Sequence, residues 1–419
     1  MAAPPADLAS PPDEDLDRRS AAIWLALVLL FVGALRLVSL LAHDWPLGDG
    51  GLFYVMIGDL IANDLALPEV VSYQGGIIPF AYPPLAFYAA AALEALTGLE
   101  RADVLRILPG FLSLASVAAA YALAREAVPT RRHALLATAF FGALIGITHV
   151  LASGGGLTRS LGLVLALLAT WQGLRMLRSA SATNVILTAV LAGLAVLSHP
   201  QAGMFLVVAL GAAWLTRWRT RRALTALLIA AAGAVLLLTP WLFVVVSRHG
   251  IDPFRAAAAV PDRDLMDSVL AYLFLFLLTA PAIGIFDLLG QVQQAVARLP
   301  YLLVWRVGVF VLDLRFSPLS GAAPVSMLAA HGVLDVLVPV AWRVGGRGGR
   351  TMSDRRRVAW RRVVVALAVA LGFVPTLVGT LESAGPTGAL TPAEREAMRW
   401  VRDNTTTSTA TVSLATDRW

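Results

Sequence analysis

The chain has 419 residues, 58% of them hydrophobic and 14% charged, and its mean hydropathy is +0.74. Because soluble domains are roughly half apolar and a quarter charged, this composition excludes an ordinary soluble protein. The net charge is +6, the basic side chains other than histidine are all arginines, and the absence of cysteine excludes disulfides, thiolate metal sites and a cysteine nucleophile.

The N-terminus is predicted to be a tail followed by a membrane anchor. Residues 1–20 are rich in proline, alanine and aspartate and end with Arg18 and Arg19, which predicts a disordered cytoplasmic tail. The apolar run 21–42 is too long for a typical signal-peptide core, so we interpret it as an uncleaved signal anchor. A basic membrane protein usually carries its excess charge on cytoplasmic loops, so nucleic acid is not an expected partner.

Long apolar segments predict an all-α polytopic membrane protein. A helix of about 20 residues crosses a hydrocarbon core of roughly 30 Å, and in lipid the backbone must satisfy its own hydrogen bonds. We therefore predict a transmembrane domain over 21–380 with about eleven helices. The predicted spans are 21–42, 104–124, 134–151, 158–174, 184–198, 202–216, 223–246, 266–289, 299–313, 320–341 and 363–380.

Residues 43–103 are predicted to form one long loop outside the membrane. The stretch 84–97 follows Pro83, is only about 14 residues long and carries Glu94, which is typical of an interfacial helix. Counting it as a span would place the arginine clusters 217–222 and 343–362 outside, against the positive-inside rule. Without it, twenty arginines fall on cytoplasmic positions and seven on outer loops, so the C-terminus is also predicted to be extracytoplasmic.

A first surface helix is expected earlier in the same loop. Helical spacing is shown by six apolar residues, Phe53, Met56, Ile57, Leu60, Ile61 and Leu65. Asp59 and Asp64 lie off this stripe and are expected to be solvated, so the helix is predicted to lie on the membrane surface. Gly75, Gly76 and Pro79 mark a turn before the second surface helix.

The segment 381–419 differs in kind from the rest. Thr391 is a candidate cap, Pro392 the first helical residue and Glu394 the third, so a helix is predicted from there to about Asn404. A strand is predicted over 410–415. One helix and one strand cannot bury a core, so we expect 381–419 to begin an extracytoplasmic C-terminal domain that continues in the natural protein beyond Trp419.

The start of the outer loop carries the most suggestive chemistry. Asp49 lies in the stretch Leu47-Gly48-Asp49-Gly50-Gly51, just outside the first span and ahead of a surface helix. A carboxylate on such a flexible turn can accept a proton from a nucleophile or help to hold a divalent cation. The alternative is ordinary Asp-Gly turn chemistry.

Two arginines on predicted outer loops suit a phosphate group. Gly155 and Gly156 precede Arg159 at the start of a helix, where backbone N–H groups and the helix dipole can hold an anion. Arg315 lies in the penultimate outer loop, and its planar fork can bind two phosphate oxygens. The alternatives are a flexible turn with an interfacial arginine at 154–159, and a pairing of Arg315 with Asp313 or a lipid head group.

The histidines give weaker signals. His149 and His199 lie near predicted outer helix ends, where either can face a cavity. His331 and Asp335 are four residues apart within one span and so share one face, which is a candidate functional feature or a packing contact with another polar helix. No histidine pair has a spacing typical of a metal site, so no metal ligands are predicted.

The ordered set of motifs resembles the GT-C superfamily of membrane glycosyltransferases, and within it the protein mannosyltransferase and aminoarabinose transferase-like group. The matching segments are Asp49, Phe53 and Tyr54, then 82–88, the arginine-rich turn 125–133, the span with Trp305 followed by 313–316 and 324–328, and finally 394–404. The resemblance covers most of the chain, although each motif is short. It implies a bundle with juxtamembrane helices in the first outer loop.

The resemblance also implies a function and a site. The expected activity is transfer of a hexosyl or pentosyl group from a polyprenyl-phosphate donor to a glycan, lipid or protein acceptor outside the plasma (inner) membrane. Asp49 is the implied catalytic base. The donor phosphate is assigned to Arg159, Arg315, Gly155 and Gly156, and the substrate cavity to Tyr54, Tyr82, His149 and His199. The cofactor is unknown, with a divalent cation such as Mg²⁺ or Mn²⁺ left open.

The sequence departs from the GT-C pattern at two points, and two other functions are left open. Oligosaccharyltransferases of this superfamily carry a second acidic motif on a later outer loop, whereas residues 152–159 contain no carboxylate, and no Trp-Trp-Asp type motif precedes Trp419. A transporter or flippase of a lipid-linked or small solute would predict internal repeats and polar groups at the membrane midplane. A non-catalytic assembly protein would make Asp49 dispensable.

Overall fold

The protein is an all-α membrane protein with one small hairpin, seen in a computed structural model. The structure describes residues 15–42, 48–73, 78–144, 151, 154–258, 280–312, 318–345, 353–383 and 392–405. Six of its helices are long and apolar enough to cross a membrane. They are Arg18–Val38, Arg101–Ala127, Leu157–Ser179, Arg221–His249, Leu319–Val344 and Asp354–Glu382.

The elements follow one another in a simple order. The region between α1 and α4 contains α2, β1, β2 and α3, and most of the other helices pack into the bundle. The bounds are α1 Arg18–Ala42, α2 Gly50–Ala62, β1 Val70–Val71, β2 Ile78–Pro79, α3 Leu85–Thr97, α4 Arg101–Ala127, α5 Arg131–Gly142, a 3₁₀ turn Gly154–Gly156, α6 Leu157–Ser179, α7 Ala182–Ser198, α8 Gln201–Thr216, α9 Arg221–His249, α10 Asp252–Ala258, α11 Pro281–Val296, α12 Tyr301–Leu312, α13 Pro318–His331, a π-helical turn Gly332–Leu337, α14 Val338–Gly345, α15 Asp354–Ser383 and α16 Pro392–Asn404.

The predicted spans coincide with helices of the bundle. Span 134–151 was predicted to be longer than α5, which ends at Gly142, and the start of span 266–289 lies outside the described residues. Helices α7, α8 and α12 are apolar but shorter than the six long ones. The helix predicted over 391–404 is confirmed by α16, whereas the strand predicted over 410–415 lies outside the described residues.

One end of the bundle carries the arginine clusters. Arg131 at the start of α5 donates its backbone N–H to the Asp15 carboxylate at 2.8 Å, and Glu126 at the end of α4 pairs with Arg178 at the end of α6 at 2.6 Å. Thr130 caps α5 by accepting the N–H of His133. We call this the Arg-rich end. The opposite end, where α1 ends and α6 begins, is called the Asp49 end.

The loop between α1 and α4 folds over the Asp49 end with a small core of its own. Phe53, Met56, Ile57 and Leu60 are buried on one face of α2, as the stripe predicted, and pack against α3 and the start of α4. The rest of the predicted stripe is wrong: Ile61 is 37% exposed and Leu65 is 52% exposed. The helix ends at Ala62, so Leu65 is no longer on its face, while Ile61 lies in its last turn and is exposed.

An ion pair explains why α3 contains a charge. Arg101 donates from Nε and Nη2 to the two carboxylate oxygens of Glu94 at 3.0 and 3.1 Å, which joins the end of α3 to the start of α4. The guanidinium also lies over the ring of Tyr54 at 5.0 Å. A helix of 13 residues with this bidentate pair fits the interfacial position predicted for 84–97.

The short hairpin between the surface helices was not predicted. Val70 pairs with Pro79 and Val71 with Ile78 in antiparallel register. Pro79 therefore lies in β2 instead of marking a turn, while Gly75 and Gly76 lie outside the described residues. Asp59 accepts the Ser72 backbone N–H at 2.7 Å and its hydroxyl at 2.6 Å, so it ties α2 to this hairpin and is not simply solvated as predicted.

Candidate active site

Asp49 is the N-cap residue of α2, but its side chain makes no hydrogen bond to the helix. Its backbone carbonyl accepts the N–H of Phe53 at 3.0 Å, but its carboxylate makes no capping hydrogen bond. The residue is exposed. Asp59 differs, because both of its oxygens bind Ser72. Of these two acids in α2 and its cap, Asp49 is the one whose carboxylate is placed to meet a substrate.

Gly155 lets the Asp49 backbone approach the start of α6. A Cβ atom on Gly155 would lie 2.5 Å from the Asp49 nitrogen and 3.1 Å from its Cα, which is closer than real Cβ contacts allow. Gly155 and Gly156 are both buried, and Gly156 is the residue just before Leu157. The glycine run therefore seats Asp49 against the positive end of the α6 dipole.

Tyr82 lies between β2 and α3 and contacts the start of α6. Its phenol hydroxyl and the Thr158 hydroxyl are 3.3 Å apart, and its ring packs edge-on against Phe53 with centroids 5.6 Å apart. Burial raises the pKa of the Tyr82 phenol, while the Thr158 contact and the charge of Arg159 oppose the rise and the charge of Asp49 adds to it. Asp49, Tyr82 and Arg159 are thus near enough to influence one another.

His199 lies on the other side of Tyr82, between α7 and α8. The two ring centroids are 6.2 Å apart, and His199 packs so closely on α6 that a Cβ on Gly162 would lie 2.9 Å from the His199 Cβ. The Gln201 backbone N–H donates to His199 Nδ1 at 3.3 Å. In the neutral ring that contact places the remaining proton on Nε2.

A cleft continues from this group into the bundle. Its lining residues are Arg159, Gly162, Leu163, Ala166, His199, Gln201, Ala202, Phe205, Leu319 and Ser320. The lining changes character along α6 and α8, from Arg159, His199 and Gln201 at the Asp49 end to Ala166 and Phe205 deeper in the bundle.

The structure brings together five of the predicted site residues and separates one. Asp49, Gly155, Tyr82, Arg159 and His199 form one connected group. Gly156 is part of the same turn. Tyr54 instead lies against Arg101 on the side of α2 that faces α4. His149 and Arg315 lie outside the described residues.

Two polar residues of the cleft, Gln201 and Ser320, were not predicted. Ser320 is 3% exposed in the cleft wall, and Gln201 begins α8. Thr158, fully buried beside Tyr82, belongs to the segment 154–159 that was predicted to hold an anion or to form a turn. Gln201 and Ser320 begin helices far apart in the sequence, and only the packing of α6, α8 and α13 shows that they meet.

Among the described residues, the site offers one carboxylate, that of Asp49, and one guanidinium, that of Arg159. A carboxylate can accept a proton, and a guanidinium can stabilise negative charge on a phosphate. The segment 152–159 adds no second carboxylate.

Comparison with solved structures identifies the fold. The oligosaccharyltransferase AglB from Archaeoglobus fulgidus, solved with an inhibitory peptide and a dolichol-phosphate, has a TM-score of 0.60 at 15% identity over 91% of this chain and 58% of that one. ArnT from Cupriavidus metallidurans bound to undecaprenyl phosphate has a TM-score of 0.57 at 14% identity, covering 87% and 77%. The arabinofuranosyltransferase AftD from Mycobacteria has a TM-score of 0.61 at 16% identity, covering 93% and 29%.

The likeness is one of structure and covers part of the larger proteins. No protein-family model matches the chain, and no curated protein matches it significantly. The chain spans little more than half the length of AglB and about a third of AftD. The chain therefore shares the membrane fold of AglB, ArnT and AftD.

Proposed function

We propose that the protein is a membrane glycosyltransferase that transfers a sugar from a polyprenyl-phosphate donor to an acceptor. The observation that carries the proposal is the arrangement at the Asp49 end, where Asp49 and Arg159 both lie near Tyr82 and Arg159 lines a cleft that becomes apolar with depth. A lipid-linked sugar phosphate has the same order of groups: sugar, phosphate and hydrocarbon chain.

The cleft matches the donor in its polarity. Arg159 and the start of α6 supply positive charge for the phosphate, and Ser320 and Gln201 supply further polar groups. Leu163, Ala166 and Phe205 offer an apolar wall for the first units of the polyprenyl chain. Arg315 precedes Leu319 and Ser320 of the cleft wall by only a few residues in the sequence, so we propose that it also binds the phosphate.

The reaction follows from the two charged groups. The Asp49 carboxylate takes the proton of an acceptor hydroxyl, whose oxygen then forms a bond to the anomeric carbon of the donor sugar. The bond between that carbon and the phosphate oxygen breaks, and polyprenyl phosphate leaves with the bonding electrons. Arg159 stabilises the charge on the departing phosphate, and Tyr82 and His199 line the sugar position.

The direct test is a transfer assay. Purified full-length chain, incubated with labelled polyprenyl-phosphate sugars and candidate acceptors, should release polyprenyl phosphate and label the acceptor, and Asp49→Asn should abolish both. Movement of labelled donor across the bilayer of proteoliposomes, with the sugar still attached, would instead identify a lipid flippase. The acceptor class, whether glycan, lipid or protein, is read from the labelled product.

The proposed orientation places the Asp49 end outside the plasma membrane. The arginine clusters then face the cytoplasm with the N-terminal tail, and α16 follows the last span into an extracytoplasmic domain that begins within 381–419. Reporter fusions at Arg219 and Arg355 should therefore both give a cytoplasmic signal. Fusions within α3 should read extracytoplasmic, because α3 is too short to span. An external signal at both arginines would overturn this orientation.

Arg159→Gln should weaken donor use without unfolding the protein. A hydrogen bond to a charged group contributes roughly 1.5–3 kcal/mol, so kcat/KM for the donor should fall about 10- to 100-fold. Arg255→Gln is the matched control, since Arg255 is exposed and pairs only loosely with Asp252 at 3.4 Å. Donor titration of both variants measures the effect. Equal donor kinetics in Arg159→Gln and Arg255→Gln would remove Arg159 from the phosphate site.

A further inference from the structure

Two histidines and an aspartate meet at the Arg-rich end, far from Asp49. His133 Nε2 lies 3.1 Å from Asp335 Oδ1, and His331 Nδ1 lies 2.6 Å from Asp335 Oδ2. The two imidazole rings are 4.7 Å apart at their centroids. One ligand atom from each of the three residues lies within 4.8 Å of the others. Both histidines are buried, at 6% and 4% exposure.

The surrounding elements hold these side chains in place. Thr130 Oγ1 lies 2.8 Å from His133 Nδ1, which fixes the ring and turns Nε2 toward Asp335. His331 ends α13, and Asp335 lies in the π-helical turn that follows it. π-helical turns are rare and are frequent at functional sites. The nearby Arg217 is engaged elsewhere, with the Ala127 carbonyl at 2.8 Å and the ring of Tyr301 at 4.4 Å.

We propose that His133, His331 and Asp335 bind a divalent transition-metal ion, with Zn²⁺ as the ion that best fits them. Two neutral imidazole nitrogens and one carboxylate oxygen are a common zinc donor set, with a fourth position open to water. Neighbouring ligand atoms of a tetrahedral zinc site lie roughly 3.3 Å apart, given bonds of roughly 2.0–2.1 Å. The His133 to Asp335 distance of 3.1 Å is close to that, whereas the His331 to Asp335 distance of 2.6 Å is a hydrogen-bond length that must lengthen when an ion binds.

The site joins parts of the chain that are 202 residues apart. An ion there would fasten the start of α5 to the long helical segment formed by α13, the π turn and α14. Leu319 and Ser320, near the start of that segment, line the cleft at the opposite end of the bundle. The site is thus structurally separate from Asp49, and its existence does not depend on the proposed glycosyl transfer.

Metal binding is tested directly on the full chain in nanodiscs, purified without a polyhistidine tag and stripped with a chelator. Titration with Co²⁺ should give the visible absorption of a four- or five-coordinate ion at one equivalent, and Zn²⁺ should displace it. His133→Ala and Asp335→Asn should weaken Co²⁺ binding by at least about 100-fold, because each removes a direct ligand, while loss of an outer partner typically costs ~10–100-fold.

A control variant and a spectroscopic measurement on the wild type make the result independent of whether the ligand variants fold. His249→Ala removes a histidine at the end of α9, at the opposite end of the bundle, and should bind Co²⁺ like the wild type. X-ray absorption of the zinc-loaded wild type should show two imidazoles and nitrogen or oxygen ligands at about 2.0–2.1 Å, and it requires no variant to fold. The proposal is overturned if the wild type binds no ion, if the ligand variants bind as tightly as His249→Ala, or if the absorption spectrum lacks imidazole. The three residues would then form only a hydrogen-bonded triad.

Discussion

Asp49→Asn is expected to give a folded, membrane-inserted protein with little transfer activity. An amide cannot accept the acceptor proton at neutral pH, and loss of a general base typically lowers the rate by ~10²–10⁴-fold. Folding should change little, because the exposed carboxylate makes no capping bond and surface substitutions usually shift the free energy of unfolding by roughly 0.5 kcal/mol or less. Initial rates of labelled-sugar transfer, with thermal unfolding in parallel, measure both quantities.

Asp64→Asn is the matched control for this change. Asp64 is an exposed acid of the same loop with a positive φ of 52°, a backbone conformation that asparagine tolerates well. We also expect Asp44→Asn to stay largely active, although Asp44 lies outside the described residues. Wild-type turnover in Asp49→Asn would show that the base lies elsewhere, with His199 and then His149 the next residues to change.

Gly155→Ala should also lower activity, though less than Asp49→Asn does, even though it removes no polar group. The added methyl would lie 2.5 Å from the Asp49 nitrogen, so the loop must shift away from α6. A displacement of about 1 Å at a reacting group can cost ~10²-fold in rate, so we expect kcat to fall by ~10- to 100-fold. The measurement is kcat at saturating donor, which separates a misplaced base from weaker donor binding.

Gly211→Ala supplies the control for the glycine change. Gly211 lies inside α8, and a Cβ there would meet nothing within 4 Å. Replacement of a helical glycine by alanine stabilises a helix by roughly 0.5–1 kcal/mol, so this variant should be as active as the wild type and slightly more stable. If Gly155→Ala and Gly211→Ala had the same kcat, the close approach of Asp49 to α6 would have no part in catalysis.

The membrane architecture was largely predictable from local patterns. Apolar segments gave the helices of the bundle because lipid requires the backbone to satisfy its own hydrogen bonds, wherever the helix sits. The interfacial position of α3 stays a prediction from its length and from Glu94. The structure adds the reason that the charge is tolerated there, which is the bidentate pair with Arg101.

Local patterns failed where a side chain depends on a distant partner. Asp59 was expected to be solvated, yet it holds Ser72 of a hairpin that no periodicity indicated. The sequence reading also missed Asp287 in α11 and Arg306 in α12, which form a buried ion pair at 3.5 Å within the bundle. Each residue looks isolated in its own helix, and only the packing of the two helices supplies the countercharge.

Hydropathy, charge bias and short motifs are properties of contiguous residues, so they sufficed to predict a polytopic membrane protein and to nominate Asp49, Arg159 and His199. Helix packing brings Arg159 and His199 into one cleft, places Asp49 against Gly155, turns Tyr54 toward Arg101, and joins His133 to His331 and Asp335. The physical reason is that spacing along a helix fixes only its own faces. Which faces meet is set by how whole helices pack, and that depends on side chains hundreds of residues apart.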